Sequence, residues 1–208
     1  VSVFKAKESA MRRIGIWAAA AALIFAAAAC GPQARVKGEE EGSLVGARTA
    51  GAETYNRLIE ETSRKLLDEH RARLKEGQKK VICFVDVENK SAEELAENKE
   101  AIYELMDAVI VESGVYTNVS RRFVEAALRE TGLRADEIFL ADGRARFLSV
   151  LQREGVSPDY LLWGVVTSLS TRGMGLRERE YMLTMEMVDA KTGLVDAKKI
   201  SRVRKEYE

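Results

Sequence analysis

The chain has 208 residues, 46% of them hydrophobic and 32% charged, with 33 basic side chains balanced by 33 acidic ones. That balance leaves no basic excess to displace counterions from a nucleic acid, so no nucleic-acid partner is expected. One His and two Cys, Cys30 and Cys83, exclude most metal centres and catalytic triads, and neither metal, cofactor nor small-molecule substrate is expected.

From Ile14 to Ala29 no residue is charged, whereas Lys5, Lys7, Arg12 and Arg13 stand just upstream, which is the charge asymmetry of a secretory signal. The 16 apolar residues fall short of the roughly 20 that a spanning helix needs. Ala27, Ala28 and Ala29 before Cys30 resemble the lipobox of bacterial lipoproteins, with Ala27 where Leu is usual. That resemblance implies cleavage before Cys30 and fatty acyl chains on its thiol, so residues 1–29 read as a lipoprotein signal peptide with Met11 as the true start. An ordinary signal peptide ahead of a chance cysteine is the alternative. Gly31, in place of an Asp, points to a lipid anchor in the outer membrane facing the periplasm.

Residues 30–52, rich in Gly and charge and without period, read as the acylated cysteine and a flexible linker. Pulled straight, the linker would span at most about 75 Å. Residues 53–77 read as an amphipathic helix with Tyr55, Leu58, Ile59, Thr62, Leu66 and Leu74 on one face and Gly77 as its stop. At about 36 Å it would extend the reach of the tether to near 110 Å. His70 lies on this helix and reads as a surface or half-buried side chain with no task.

Residues 78–208 carry the remaining pattern. Val81–Val85 and Val87 suit a strand covered on both faces, with Cys83 in the core. Ser91 and Glu94 form a capping-box signature opening a helix with Leu95, Ile102, Leu105, Met106, Val109 and Ile110, closed by Gly114. "VYTNV" reads as a short strand, and Ser120 opens a helix through Phe123, Val124, Ala127 and Leu128. Asp142 is the expected cap of a further helix that turns Phe147, Leu148 and Leu151 inward and stops at Gly155. "YLLWGVVTSLS", a loop "TRGMGLRERE", "YMLTMEMVD" and the tight turn "DAKTG" then predict an antiparallel β-meander. Tyr181, Leu183, Met185 and Met187 share its core face, and Thr184 and Glu186 point away. The fold class is therefore α/β: a mixed β-sheet ending in an antiparallel meander, with helices packed mainly on one face.

"FVDVENKS", "SPDYLLWGVVTS", "YMLTMEMVDAKTGLV" and "ISRVRKEY", over residues 80–206, resemble the LpoB-type penicillin-binding protein activators, which are related in fold to the TolB N-terminal domain and the CsgG family. The resemblance implies a membrane-anchored, non-catalytic lipoprotein that binds a bifunctional peptidoglycan synthase and raises its crosslinking activity. Two departures stand out: the mature chain has only Pro32 and Pro158 where relatives can carry a Pro-rich tether, and Ala197 occupies a strand position where an aromatic is expected.

Arg172, Met174, Leu176, Arg177 and Arg179, in the hairpin between the first two meander strands, are the candidate partner-binding residues, since Arg and Met are enriched at interfaces. A solvated loop is the other reading of that stretch. An envelope structural or export accessory of the CsgG/TolB-like type is the alternative function, and it calls for amphipathic hairpins of about ten residues per strand, none of which the sequence suggests. No enzyme is expected, because no nucleophile elbow, phosphate-binding loop or distinguishable acid and base pair is present.

Overall fold

The computed structural model describes residues 35–37, 52–91, 99–173 and 176–207. In chain order they form β1 (Arg35–Lys37), α1 (Ala52–Arg71), β2 (Lys80–Lys90), α2 (Lys99–Glu112), β3 (Tyr116–Asn118), α3 (Arg121–Thr131), a short 3-10 helix (Ala135–Phe139), α4 (Ala141–Arg153), β4 (Tyr160–Gly173), β5 (Leu176–Asp189) and β6 (Val195–Tyr207). The strands make one sheet in the order β1-β6-β5-β4-β2-β3. β2 runs parallel to both β3 and β4, and the other pairs are antiparallel. The expected mixed sheet ending in a meander is what the chain builds.

Alternation decides which face of the meander is buried. Tyr181, Leu183, Met185 and Met187 of β5 are fully buried, whereas Met182, Thr184 and Glu186 between them are not. Against that face lies α1, whose Tyr55, Leu58, Ile59, Leu66 and Leu67 are buried, followed by α2 with Ile102, Met106, Val109 and Ile110. Among the described residues the second face is covered only at its parallel end. There Val124 and Ala127 of α3 and Phe147, Val150 and Leu151 of α4 pack on Cys83, Val85, Leu161 and Trp163. One-sided packing therefore holds over β5 and β6, and the β2–β4 half is sandwiched.

Gly164 marks how closely the layers approach. A methyl group there would lie 2.9 Å from both Met185 Sδ and Val87 Cγ2, so the large neighbours occupy the space a side chain would take.

Several elements differ from expectation. α1 stops at Arg71, before Gly77, and lies on the sheet, so it adds nothing to the reach of a tether. Within the stretch read as linker, Arg35–Lys37 form β1 and pair with Glu206, Lys205 and Arg204 of β6. The cap of α4 is Leu140 and not Asp142, because the 3-10 helix runs straight into α4 and Leu140 closes one and opens the other. Phe123, on α3, is partly exposed. Cys30 and the proposed box residue Glu94 lie outside the described residues, while Ser91 donates its amide and hydroxyl to Asn89 Oδ1 (2.9 and 2.7 Å).

The hairpin also differs. β4 and β5 stay paired out to Gly173↔Leu176, so most of "TRGMGLRERE" is strand and only residues 174 and 175 separate the two. Strands of 14 residues on each side do exceed the length that a membrane-lining hairpin requires, contrary to the sequence reading. Their middle is occupied in another way: β4 is paired to β2 and β5 to β6, with α1 on top.

The "DAKTG" turn is built around one carboxylate. Asp189 Oδ1 accepts from the amides of Lys191 (3.0 Å) and Thr192 (2.7 Å) and from Thr192 Oγ1 (2.9 Å). Gly193 follows at φ +76°, with the Arg144 guanidinium where a side chain would be. The Thr192 amide above all holds the Asp189 carboxyl below its ordinary 3.8. A depressed carboxylate contributes stability that is fully present above its unfolded value and is lost as the pH falls through the folded one. Asp189→Ala is expected to cost about 1 kcal/mol in urea unfolding at pH 7. That difference from the parent should shrink towards zero as the pH falls below 3.8, the ordinary value of the carboxyl.

Candidate functional site

Chemistry-bearing side chains come together at three places considered in turn among the described residues. The first is midway along β2, where the register with β4 shifts between Phe84 and Asp86 and leaves Val85 as a bulge. Beyond it the Asp86 carboxylate, 17% exposed, accepts from Tyr103 Oη (2.6 Å), Lys99 Nζ (3.1 Å) and the Val87 amide (2.7 Å). Arg121 of α3 lies 3.7 Å from the Tyr103 ring centroid and donates to Val85 O (2.7 Å) and Glu125 Oε1 (3.0 Å). Burial first, and then the bond to Asp86, push the Tyr103 phenol well above its usual range. A carboxylate already holding three donors beside a phenol that stays protonated is no acid and base pair. The cluster ties α2 on one face to α3 on the other.

The second place is His70. It is 2% exposed, with Nε2 2.7 Å from Asp196 Oδ2 and Nδ1 2.6 Å from Tyr116 Oη. An ionised carboxylate can only accept, so Nε2 carries a hydrogen, and in the neutral ring Nδ1 accepts from Tyr116. Tyr160 meets the imidazole edge-on with centroids 4.8 Å apart. Burial raises the Tyr116 phenol above its usual range. The expectation of a taskless His is thus corrected: it joins the end of α1 to β3 and to the start of β6. The signal was present in the sequence, because His70 falls four residues after Leu66 on the buried stripe.

The third is the hairpin arm. β2 accompanies β4 only as far as Thr167, opposite Lys90, so Ser168–Gly173 run on past it with β5 and β6 beside them. Six strand residues make about 20 Å of projection. Of the five predicted partner-binding residues, Arg179 is half-buried on β5 and donates from Nε to Ser170 Oγ (3.2 Å) across the pair. Arg172 and Arg177 stand directly opposite each other, Leu176 opposite Gly173, and Met174 lies outside the described residues. The uncovered face nearby carries a ladder of opposite charges: Lys198 to Glu186 at 2.6 Å, and Arg204 to Glu180 and Glu178 at 3.3 and 3.5 Å. Leu169 and Ile200 are exposed on the same side.

Among the described residues no three His, Cys, Asp or Glu side chains come together as a metal ion would need. No helix among them is long and apolar enough to cross a membrane. A hollow of about 240 Å³, lined by Leu133, Glu137, Leu140 and Arg146, sits apart from all three places.

Residues 55–196, from α1 to the beginning of β6, match the family described as peptidoglycan-synthase activator LpoB. No curated protein matches the chain. Among solved structures it is similar to the LpoB C-terminal domain from Salmonella enterica, at 16% identity and TM-score 0.48, covering 69% of this chain and 96% of that one. The LpoB C-terminal domain from Escherichia coli follows at 14% identity and TM-score 0.46, covering 70% and 96%. Lipoprotein GNA1162 from Neisseria meningitidis has 17% identity and TM-score 0.45, covering 60% and 82%. These values support no transfer of roles from residue to residue.

Two expectations follow from the buried groups. His70→Ala should destabilise the protein by about 2–4 kcal/mol in chemical unfolding, since it opens a cavity and strands two polar partners. Burial pushes the Cys83 thiol up to about 12. Alkylation followed by peptide mass spectrometry should therefore find Cys83 at least about 100-fold slower to react in the native protein than in urea.

Proposed function

The chain belongs to the peptidoglycan-synthase activator LpoB family, and from that premise we propose that it is a lipid-anchored envelope protein, acylated on Cys30, that binds a bifunctional penicillin-binding protein and raises its crosslinking activity while performing no chemistry itself. The observation that carries this reading is the family match itself, which runs through α1, the whole parallel half of the sheet and the β4–β5 hairpin. The polar clusters agree with it, because each is closed on itself by hydrogen bonds and ion pairs and binds secondary-structure elements together.

Docking then falls to surface. The hairpin arm, with Arg172, Met174, Leu176, Arg177 and Arg179, is the proposed contact. Its sequence combines Arg, Met and Leu, and strand pairing holds Arg172, Leu176, Arg177 and Arg179; a preorganised backbone loses less entropy on binding than a loose loop. The proposed location is the periplasmic face of the outer membrane.

In a detergent-based assay with lipid-linked precursor and a purified bifunctional synthase, the acylated protein is expected to increase crosslinked product severalfold. The triple change Arg172→Glu, Arg177→Glu and Arg179→Glu should reduce that stimulation at least about fivefold, in line with interface Arg residues worth 1 kcal/mol or more. Unchanged crosslinking on adding the parent protein would remove the activator reading; full stimulation by a correctly folded triple variant would remove the arm as the contact.

A further inference from the structure

The stretch between Cys30 and α1 reads from the sequence as tether, yet part of it belongs to the sheet. Arg35, Val36 and Lys37 form β1 and stand opposite Glu206, Lys205 and Arg204 of β6. Only residues 31–34 then separate Cys30 from Arg35, and five Cα steps span at most about 18 Å. Without those pairs the first element held to the body would be α1, from Ala52, and the same chain would reach about 75 Å. Three residue pairs thus decide between two tether lengths that differ about fourfold.

The register also fixes where the tether is fastened. Glu206, Lys205 and Arg204 lie opposite Glu178, Arg179 and Glu180 of β5, which lie opposite Thr171, Ser170 and Leu169 of β4. β1 is therefore level with the base of the hairpin arm and three strand spacings, about 14 Å, from β4. Arg35, nearer the anchor, pairs farther along the arm than Lys37 does, so the chain enters the sheet from the side of the hairpin tip. Asp189 and the "DAKTG" turn lie nine positions beyond Glu180 on β5, about 30 Å away.

We propose that β1 is a clip on the tether: it fastens the anchor beside the base of the arm, so that the body works close to the leaflet holding the acyl chains of Cys30 and presents the arm there. The proposal rests on the reading of Cys30 as the lipid anchor and adds to it the place where the arm meets its partner. The clip is made by strand pairing and does not depend on lipid headgroups. The reach that brings arm and synthase together then belongs to the synthase, whose periplasmic part must extend to that leaflet.

The test uses the acylated protein purified from bacterial envelopes and reconstituted in phosphatidylcholine vesicles containing a dansyl-labelled phospholipid. Cleavage before Cys30 removes Trp17 and leaves the buried Trp163 as the donor for energy transfer to the leaflet. A locked variant carries Lys37→Cys with Arg204→Cys, directly opposite positions whose Cα spacing suits a disulfide, and the buried Cys83 does not compete for it. An unclipped variant carries Arg35→Gly, Val36→Ser and Lys37→Gly, which keeps the chain length and lowers the strand propensity. Transfer in the parent should match that of the oxidised locked variant and exceed that of the unclipped variant at least about twofold, since transfer falls steeply with distance. Parent transfer closer to the unclipped than to the locked variant, or equal transfer in all three, would overturn the clip and leave the activator reading intact. Unchanged crosslinking by the parent in detergent would overturn the activator reading and leave the fastening of the tether in place. An N-terminal peptide showing no acyl chain on Cys30 would overturn both.

Discussion

Fourteen consecutive residue pairs join β4 to β5, from Tyr160↔Asp189 to Gly173↔Leu176, and the remaining architecture is arranged around this ladder. Its core face presents Leu162, Val166, Tyr181, Leu183, Met185 and Met187 as a continuous apolar strip on which α1 is laid. Slipping the register by one residue would turn that strip outward and bury Thr184 and Glu186 in its place, so the pairing is strongly specified in the middle. β2 joins one side in parallel and β6 the other in antiparallel fashion. What extends beyond β2 is therefore a continuation of the most firmly specified part of the sheet.

Around this ladder the polar side chains act as fasteners. His70 links the end of α1 to Tyr116 and Asp196, Asp86 and Arg121 link α2 and α3 across the β2 bulge, and Asp159 binds Lys80 Nζ and the Val81 amide, each at 2.9 Å, to fix where β4 meets β2. Each uses groups that in another protein could be acids, bases or ligands. Here their hydrogen bonds are made within the fold, where they join secondary-structure elements.

The central strands and helix faces were legible because burial imposes a period. Tyr181, Leu183, Met185 and Met187 alternate without interruption, and Tyr55, Leu58, Ile59, Thr62 and Leu66 keep a helical spacing. The arm was misread as a loop for the converse reason: "RERE" has no apolar alternation, and its partners are charges on β6 that lie more than twenty residues away in sequence. β1 has a single apolar residue among three and is defined only by the edge it pairs with. Capping by Asp142 was a reasonable local inference, overridden because a 3-10 helix no periodicity announces supplies the entry to α4. The family was legible through the resemblance of its strand motifs, whereas a docking surface leaves no chemical signature that composition could reveal.

Native-state hydrogen exchange on the paired arm, from Ser168 to Thr171 and from Glu178 to Tyr181, tests most directly whether that projection is an extension of the sheet. Ladder pairing predicts cross-strand amides there protected by at least about 100-fold over an unstructured chain. Exchange at the free-chain rate throughout both segments, with the centre of β5 still protected, would contradict the account and return the arm to the loop that the sequence suggests.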